Sequence, residues 1–289
     1  MSARLPIPLC LAAAAKEERR EEWLETLPAT ILELEARWSV AIGEPYQPGG
    51  HTAWVAPARG SDGDDLVVKV AWRHDGSLHE ADGLRAWDGD GAVRLFAVEE
   101  LPETTGLLLE RCLPGTALAE RPETEQDIVI AASLRRLWRR PPPGHGFRPL
   151  QDMCNQWADW FDFEEASVTL DPALARDGIA LFRALPSSAD REVLLCTDLH
   201  AENVLAAQRE PWLVVDPKPY VGDPTYDVLQ HMLNCEERLY ADPRALAMRM
   251  AELVDIQPDR ILLWLFARCV QESPGSPILA DVARHIAPA

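Results

Sequence analysis

The chain has 289 residues, enough for one large domain or two lobes, and its 47% hydrophobic and 26% charged composition excludes an intrinsically disordered protein. A net charge of −19 repels phosphate backbones, which excludes a general nucleic-acid binder while remaining compatible with a cationic ligand. Six cysteines (Cys10, Cys112, Cys154, Cys196, Cys235 and Cys269) share no short spacing, which excludes a zinc ribbon or dithiol motif and suits reduced thiols in a cytoplasmic protein; no apolar run is long enough to span a membrane.

In chain order, LCLAAAA (9–15) follows two prolines and runs straight into KEERREE, which fits an exposed helix better than a signal-peptide cleavage site. Trp23, Leu24, Leu27, Ile31, Leu34 and Trp38 recur at helical spacing, and Pro28 is expected to break or kink that helix. Gly49-Gly50 marks a turn, TAWVA a strand, GSDGDD a hairpin loop and LVVKVAW a second strand. HEADGLRAW (79–87) reads as helix, AVRLFAVEE (92–100) and GLLLERCL (106–113) as strands, and Pro114-Gly115 ends the pattern.

Thereafter the character changes. Helical periodicity covers 123–140, 150–166 and 172–185; two apolar strands, EVLLC (192–196) and WLVVD (212–216), bracket a polar turn; and 224–240, 242–255 and 258–272 read as helix. The expectation is an α+β chain dividing after residue 111. Residues 1–111 form a small antiparallel sheet with helices attached, and 112–289 a mainly helical part around a small central sheet.

The polar turn carries the chemistry. Phosphoryl transfer from ATP needs a carboxylate to orient and accept the proton of the attacking hydroxyl, hard oxygen ligands for Mg2+, and a cation on the nucleotide phosphates. Asp198 sits in the turn, Asn203 five positions on, and Asp216 at the end of the next strand. Each alone is a common turn former; the combination points to a site. Lys69 lies inside the apolar run VVKV, and Glu80 follows in a helical segment where it can pair with that ammonium.

TDLHAEN, VVDPKPYVGDPTYD and QHMLNC, with a looser VVKV, HEADGLRAW and LLLERCLPG before them, resemble the aminoglycoside phosphotransferase family of the bilobal protein-kinase-like fold, in its streptomycin 6-phosphotransferase and hydroxyurea phosphotransferase branch. The match runs from about 45 to 235. The resemblance implies that Asp198 is the catalytic carboxylate, that Asn203 and Asp216 bind Mg2+, and that Lys69, held by Glu80, binds the α- and β-phosphates of ATP. Glu110 to Leu113, with Cys112 among them, would face adenine, and Gly49 and Gly50 would lie over the triphosphate. The acceptor would be a small hydroxylated molecule, an aminoglycoside first and a hydroxyurea-like compound second; a silent nucleotide-binding module is the rival class. GDPTYD begins six residues after Asp216, which leaves little room for an activation segment to dock a polypeptide. One departure stands out: Cys196-Thr197 replaces the His-Gly that usually precedes the catalytic Asp.

Several residues carry two readings. His200 is expected to make structural hydrogen bonds in the loop, with substrate contact second, and Asp227 to anchor loop N–H groups. Lys218 is open to phosphate contact or to pairing with an acid. WADWFDFEE (157–165) sets Trp157, Trp160 and Phe161 on one helical face, a stripe that usually means core. Asp159, Asp162, Glu164 and Glu165, with His231, are the candidates for contacting a cationic acceptor. Monomer and homodimer are both left open.

Overall fold

The computed structural model describes residues 5–167 and 169–288, without the side chain of Glu164. The chain sorts into two compact units, Met1–Gly115 with Ala207–Leu213, and Thr116–Ala206 with Val214–Ala289.

The first unit opens with helices α1 (Leu9–Glu17) and α2 (Glu21–Trp38). Pro28 lies inside α2 and does not end it; the break comes earlier, at Arg19, whose φ is +56°. Burial of Leu27, Ile31 and Leu34 on either side of the proline outweighs the hydrogen bond it removes. Strands β1 (Val40–Ile42), β2 (Ala53–Gly60) and β3 (Asp65–Trp72) follow, then α3 (Glu80–Trp87), β4 (Leu95–Leu101) and β5 (Thr104–Glu110). They form one antiparallel sheet in the order β1-β2-β3-β5-β4. Alternate residues Trp54, Ala56, Val68, Val70 and Trp72 enter a core with Leu11, Trp23, Leu27 and Leu34 of the two helices. There the Trp23 indole N–H donates to Thr104 Oγ1 at 2.8 Å, and its ring meets Trp72 edge-on.

The second unit contains α4 (Glu123–Leu137), α5 (Leu150–Asp159), the one-turn α6 (Phe163–Ala166) and α7 (Pro172–Ala184). Short strands β6 (Val193–Leu195), β7 (Val204–Ala206), β8 (Trp212–Val214, its first two residues counted with the first unit) and β9 (Tyr220–Gly222) come next. Five helices follow: α8 (Pro224–Asn234), α9 (Glu236–Ala241), α10 (Pro243–Val254), α11 (Pro258–Gln271) and α12 (Pro277–Ile286). β6 pairs antiparallel with β9. The structure differs from expectation at 157–165, which is not one helix, because α5 stops at Asp159. Trp160, the residue after that helix, is 68% exposed while Phe161 is buried, so the expected aromatic stripe is split. Among the described residues no helix is long and apolar enough to cross a membrane.

Candidate active site

In the first unit, β3 and α3 bring Lys69 and Glu80 together. The Lys69 ammonium donates to both carboxylate oxygens of Glu80, at 2.8 and 2.7 Å, and both residues are buried. Glu80 occupies the first position of α3, where the helix dipole favours a carboxylate. The pairing fixes an ammonium in a strand that is otherwise apolar from Leu66 to Trp72.

The two candidate glycines between β1 and β2, Gly49 and Gly50, differ. Nothing lies within 4 Å of where a Cβ would stand on Gly50, whereas at Gly49 that space is taken by Pro8, 2.4 Å away. The close approach that Gly49 permits is therefore to the N-terminal segment. Glu110, the end of β5, is also already engaged. Its N–H donates to the Arg94 carbonyl, and its carboxylate accepts from the Arg94 N–H at 3.0 Å and from the Arg209 guanidinium at 2.8 and 2.9 Å. Burial alone would lift that carboxyl; the Arg209 and Arg94 hydrogen bonds outweigh it and hold it below the usual carboxylate range. Cys112 follows, buried, with its thiol pushed up to about 12 by desolvation and therefore neutral.

In the second unit, the turn after β6 and the segment after β8 converge. The Lys218 ammonium lies 2.5 Å from Asp198 Oδ2 and 3.7 Å from Asp216 Oδ2. Asn203 Nδ2 donates to the Asp198 carbonyl at 3.0 Å, which leaves Asn203 Oδ1 as the atom able to face a cation. The Val215 N–H donates to the Asn203 carbonyl at 2.9 Å and the Lys218 N–H to the Cys196 carbonyl at 2.9 Å, so the backbone itself sets the spacing of Asp198, Asn203 and Asp216. A carboxylate and an amide oxygen are hard donors of the type Mg2+ takes.

The Cys196-Thr197 departure has a structural answer. Thr197 has φ +54°, a conformation natural to the glycine usual there. Its hydroxyl donates to the Lys218 carbonyl at 2.5 Å, a bond glycine could not make. Asp227 anchors the loop as expected, accepting the Cys196 N–H at 3.0 Å and the Thr197 N–H at 2.6 Å, together with the Trp138 indole N–H at 3.0 Å. Burial is the largest influence on its carboxyl and, despite these three donors, pushes it up to about 6. His200 differs from expectation: among the described residues its side chain makes no hydrogen bond, and the residue serves through its carbonyl, which accepts the Asn203 N–H.

The candidates for acceptor contact separate. His231 is a correction: it is fully buried, its ring 2.9 Å from Asp127, whose carboxylate also takes Arg238 and Arg249. That cluster ties α4, α8, α9 and α10 together and leaves the imidazole no ligand to meet. Three guanidinium and imidazole donors also saturate Asp127 against a metal, although Cys235 stands close to the same ring. Asp159 pairs with Arg183 at 2.5 Å and lines a cavity of about 420 Å³ with Arg148, Asp152, Asn155, Gln156 and Trp160. Asp162 and Glu165 line a separate hollow beside Trp157 and Arg268; the Glu164 side chain is outside the described set. Asp152, Asn155 and Gln156 went unremarked in the sequence, although their i, i+3 and i+4 spacing sets them on one face of α5.

Comparison with known proteins agrees with this geometry. A profile of the family described as "Aminoglycoside/hydroxyurea antibiotic resistance kinase" matches residues 37–274. Streptomycin 6-kinase of Streptomyces griseus is 31% identical over 288 residues, covering 94% of this chain and 91% of that protein. Hydroxyurea phosphotransferase of Kitasatospora aureofaciens is 37% identical over 222 residues, 74% of this chain and 63% of that protein. Among solved structures, the choline kinase LicA of Streptococcus pneumoniae superimposes with a TM-score of 0.61 at 12% identity, covering 90% of this chain and 95% of that one, a likeness of fold alone. The chain therefore has the protein-kinase-like fold and belongs to the aminoglycoside/hydroxyurea antibiotic resistance kinase family.

Proposed function

We propose that the protein is an ATP- and Mg2+-dependent kinase that phosphorylates a hydroxyl of an aminoglycoside antibiotic of the streptomycin type and so confers resistance. The observation that carries this reading is the cluster of Asp198, Asn203, Asp216 and Lys218 in a chain that belongs to this kinase family. Asp198 orients the acceptor hydroxyl and receives its proton as the oxygen bonds to the γ-phosphorus and the bond to the ADP oxygen breaks. Lys218 holds the Asp198 carboxylate in place and puts positive charge where negative charge develops. Asn203 Oδ1 and the Asp216 carboxylate hold Mg2+, which when bound screens the charge of the transferred group. Lys69, fixed by Glu80, holds the α- and β-phosphates.

The cavity beside Asp152 and Asp159 is of a size to take a small molecule, and with Asp159 paired to Arg183 it is Asp152 that supports a cationic acceptor. A cytoplasmic setting fits the supply of ATP and six free thiols. The test is ATP turnover with a panel of aminoglycosides, comparing wild type with Asp198→Ala. Turnover no higher than that of Asp198→Ala with every acceptor would sink the reading. A hydroxyurea acceptor is the second reading, favoured by the 37% identity to a hydroxyurea phosphotransferase. Asp152→Asn separates the two: it raises KM for a cationic aminoglycoside and leaves uncharged hydroxyurea untouched.

A further inference from the structure

Residues 207–213, the loop after β7 and the first two residues of β8, come from the second half of the sequence yet belong to the first unit. The reason is Arg209. Its guanidinium, less than a quarter exposed, donates to both oxygens of Glu110, to the Gly89 carbonyl at 2.6 Å, to the Ala92 carbonyl at 3.0 Å and to Glu210 at 2.7 Å. Every face of the fork is used, with a bidentate carboxylate on one side and main-chain carbonyls on the other. Gly89 (φ +76°) and Ala92 both lie in the connection from α3 to β4, and Glu110 ends β5, so one side chain ties two separate segments to its own.

Just beyond Glu110 the chain leaves the sheet. Among the described residues, the N–H groups of Arg111 and Cys112 have no acceptor, although Cys112 is buried. Buried backbone donors are nearly always satisfied, so the Cys112 N–H points to a ligand that presents an acceptor atom to it, as the edge of a purine does. Resting on the ATP reading above, we propose that Arg209 is a positioning residue for the nucleotide: by clamping Glu110 it fixes the 111–112 backbone edge against the purine, without touching the nucleotide.

The clamp acts on the purine end of ATP, not on the phosphates held by Lys69. Calorimetric titration of the full chain with adenosine and, separately, with inorganic tripolyphosphate resolves the two ends. Arg209→Met is expected to weaken adenosine about tenfold, leave tripolyphosphate within about twofold, and raise KM for ATP while kcat is kept. Arg209→Lys, which keeps the charge and can still reach Glu110, recovers part of that loss. Should Arg209→Met melt early, Glu110→Gln, which keeps the shape but loses the charged partner, is read in the same way. Equal weakening of both probes, or of neither, overturns the proposal and leaves Arg209 a stabilising contact only. Wild type that binds neither probe would overturn the ATP reading itself, a result distinct from any behaviour of the variants.

Discussion

The Lys218 ammonium stands 2.5 Å from Asp198 Oδ2 and 3.7 Å from Asp216 Oδ2, so a single cation bridges the carboxylate assigned to the hydroxyl and the one assigned to the metal. Of the two roles open to it, pairing with an acid is the one this geometry displays, and the pair leaves the ammonium beside the reacting oxygens. Lys218→Met is expected to lower kcat about 100-fold with little change in acceptor KM, and Asp198→Asn about 1,000-fold. Steady-state kinetics with thermal melts alongside check this. If Lys218→Met kept kcat within twofold of wild type, the ammonium would have no part in transfer.

Thr197 replaces a residue type suited to its positive φ, at a strain of roughly 1 kcal/mol or more. Its hydroxyl bond to the Lys218 carbonyl offsets about the same amount. Thr197→Val keeps the strain and loses the bond, so it should lower stability by about 1 kcal/mol and move Lys218, with a fall in kcat. Thr197→Gly should be close to neutral in stability. Chemical denaturation of both variants decides, and a Val variant as stable as wild type would show the hydroxyl to be idle.

Asp227 ties stability to pH. Its carboxyl, raised in the fold from 3.8 to about 6, binds a proton more tightly folded than unfolded. The contribution is therefore fully present below about 3.8 and is lost as pH rises through about 6, a swing on the order of 3 kcal/mol. Asp227→Asn removes the titration, so the stability of wild type relative to this variant should fall between pH 4 and pH 7. The same variant sets an NH2 against N–H donors of the loop, so kcat should drop at least tenfold. Denaturation curves at the two pH values test the first claim, and parallel stability profiles would refute it.

The Asp127 cluster predicts damage without selectivity. Asp127→Ala leaves Arg238, Arg249 and the buried His231 without their shared carboxylate and should cost about 3–5 kcal/mol. His231→Ala should lower the melting temperature without a selective rise in acceptor KM. A large acceptor KM effect at unchanged stability would return His231 to the substrate site.

Much of this was legible from residue order. The strand–turn–strand around Asp198, the buried Lys69, its partner Glu80 and the anchoring Asp227 all follow from short spacings and from charge inside an apolar run. Three strands and the last helix were missed. β1, β7 and β9 are only three residues each and carry no period, and α12 lies beyond the last helical stretch marked by a turn signal. Trp160 looked like core because a stripe at helical spacing usually is, but α5 ends one residue earlier.

What the sequence determined by itself is the local placement of donors: strand lengths and turn residues fix where Asp198, Asn203 and Asp216 fall along the chain. Only the tertiary structure decided which groups meet across long separations. It paired β6 with β9, sent Lys218 to Asp198, buried His231 on Asp127, and brought Arg209 to Glu110, 99 positions away. Periodicity reports which face of an element is apolar. It carries no record of which distant charge will satisfy a buried one, because that choice is made by the packing of the whole unit.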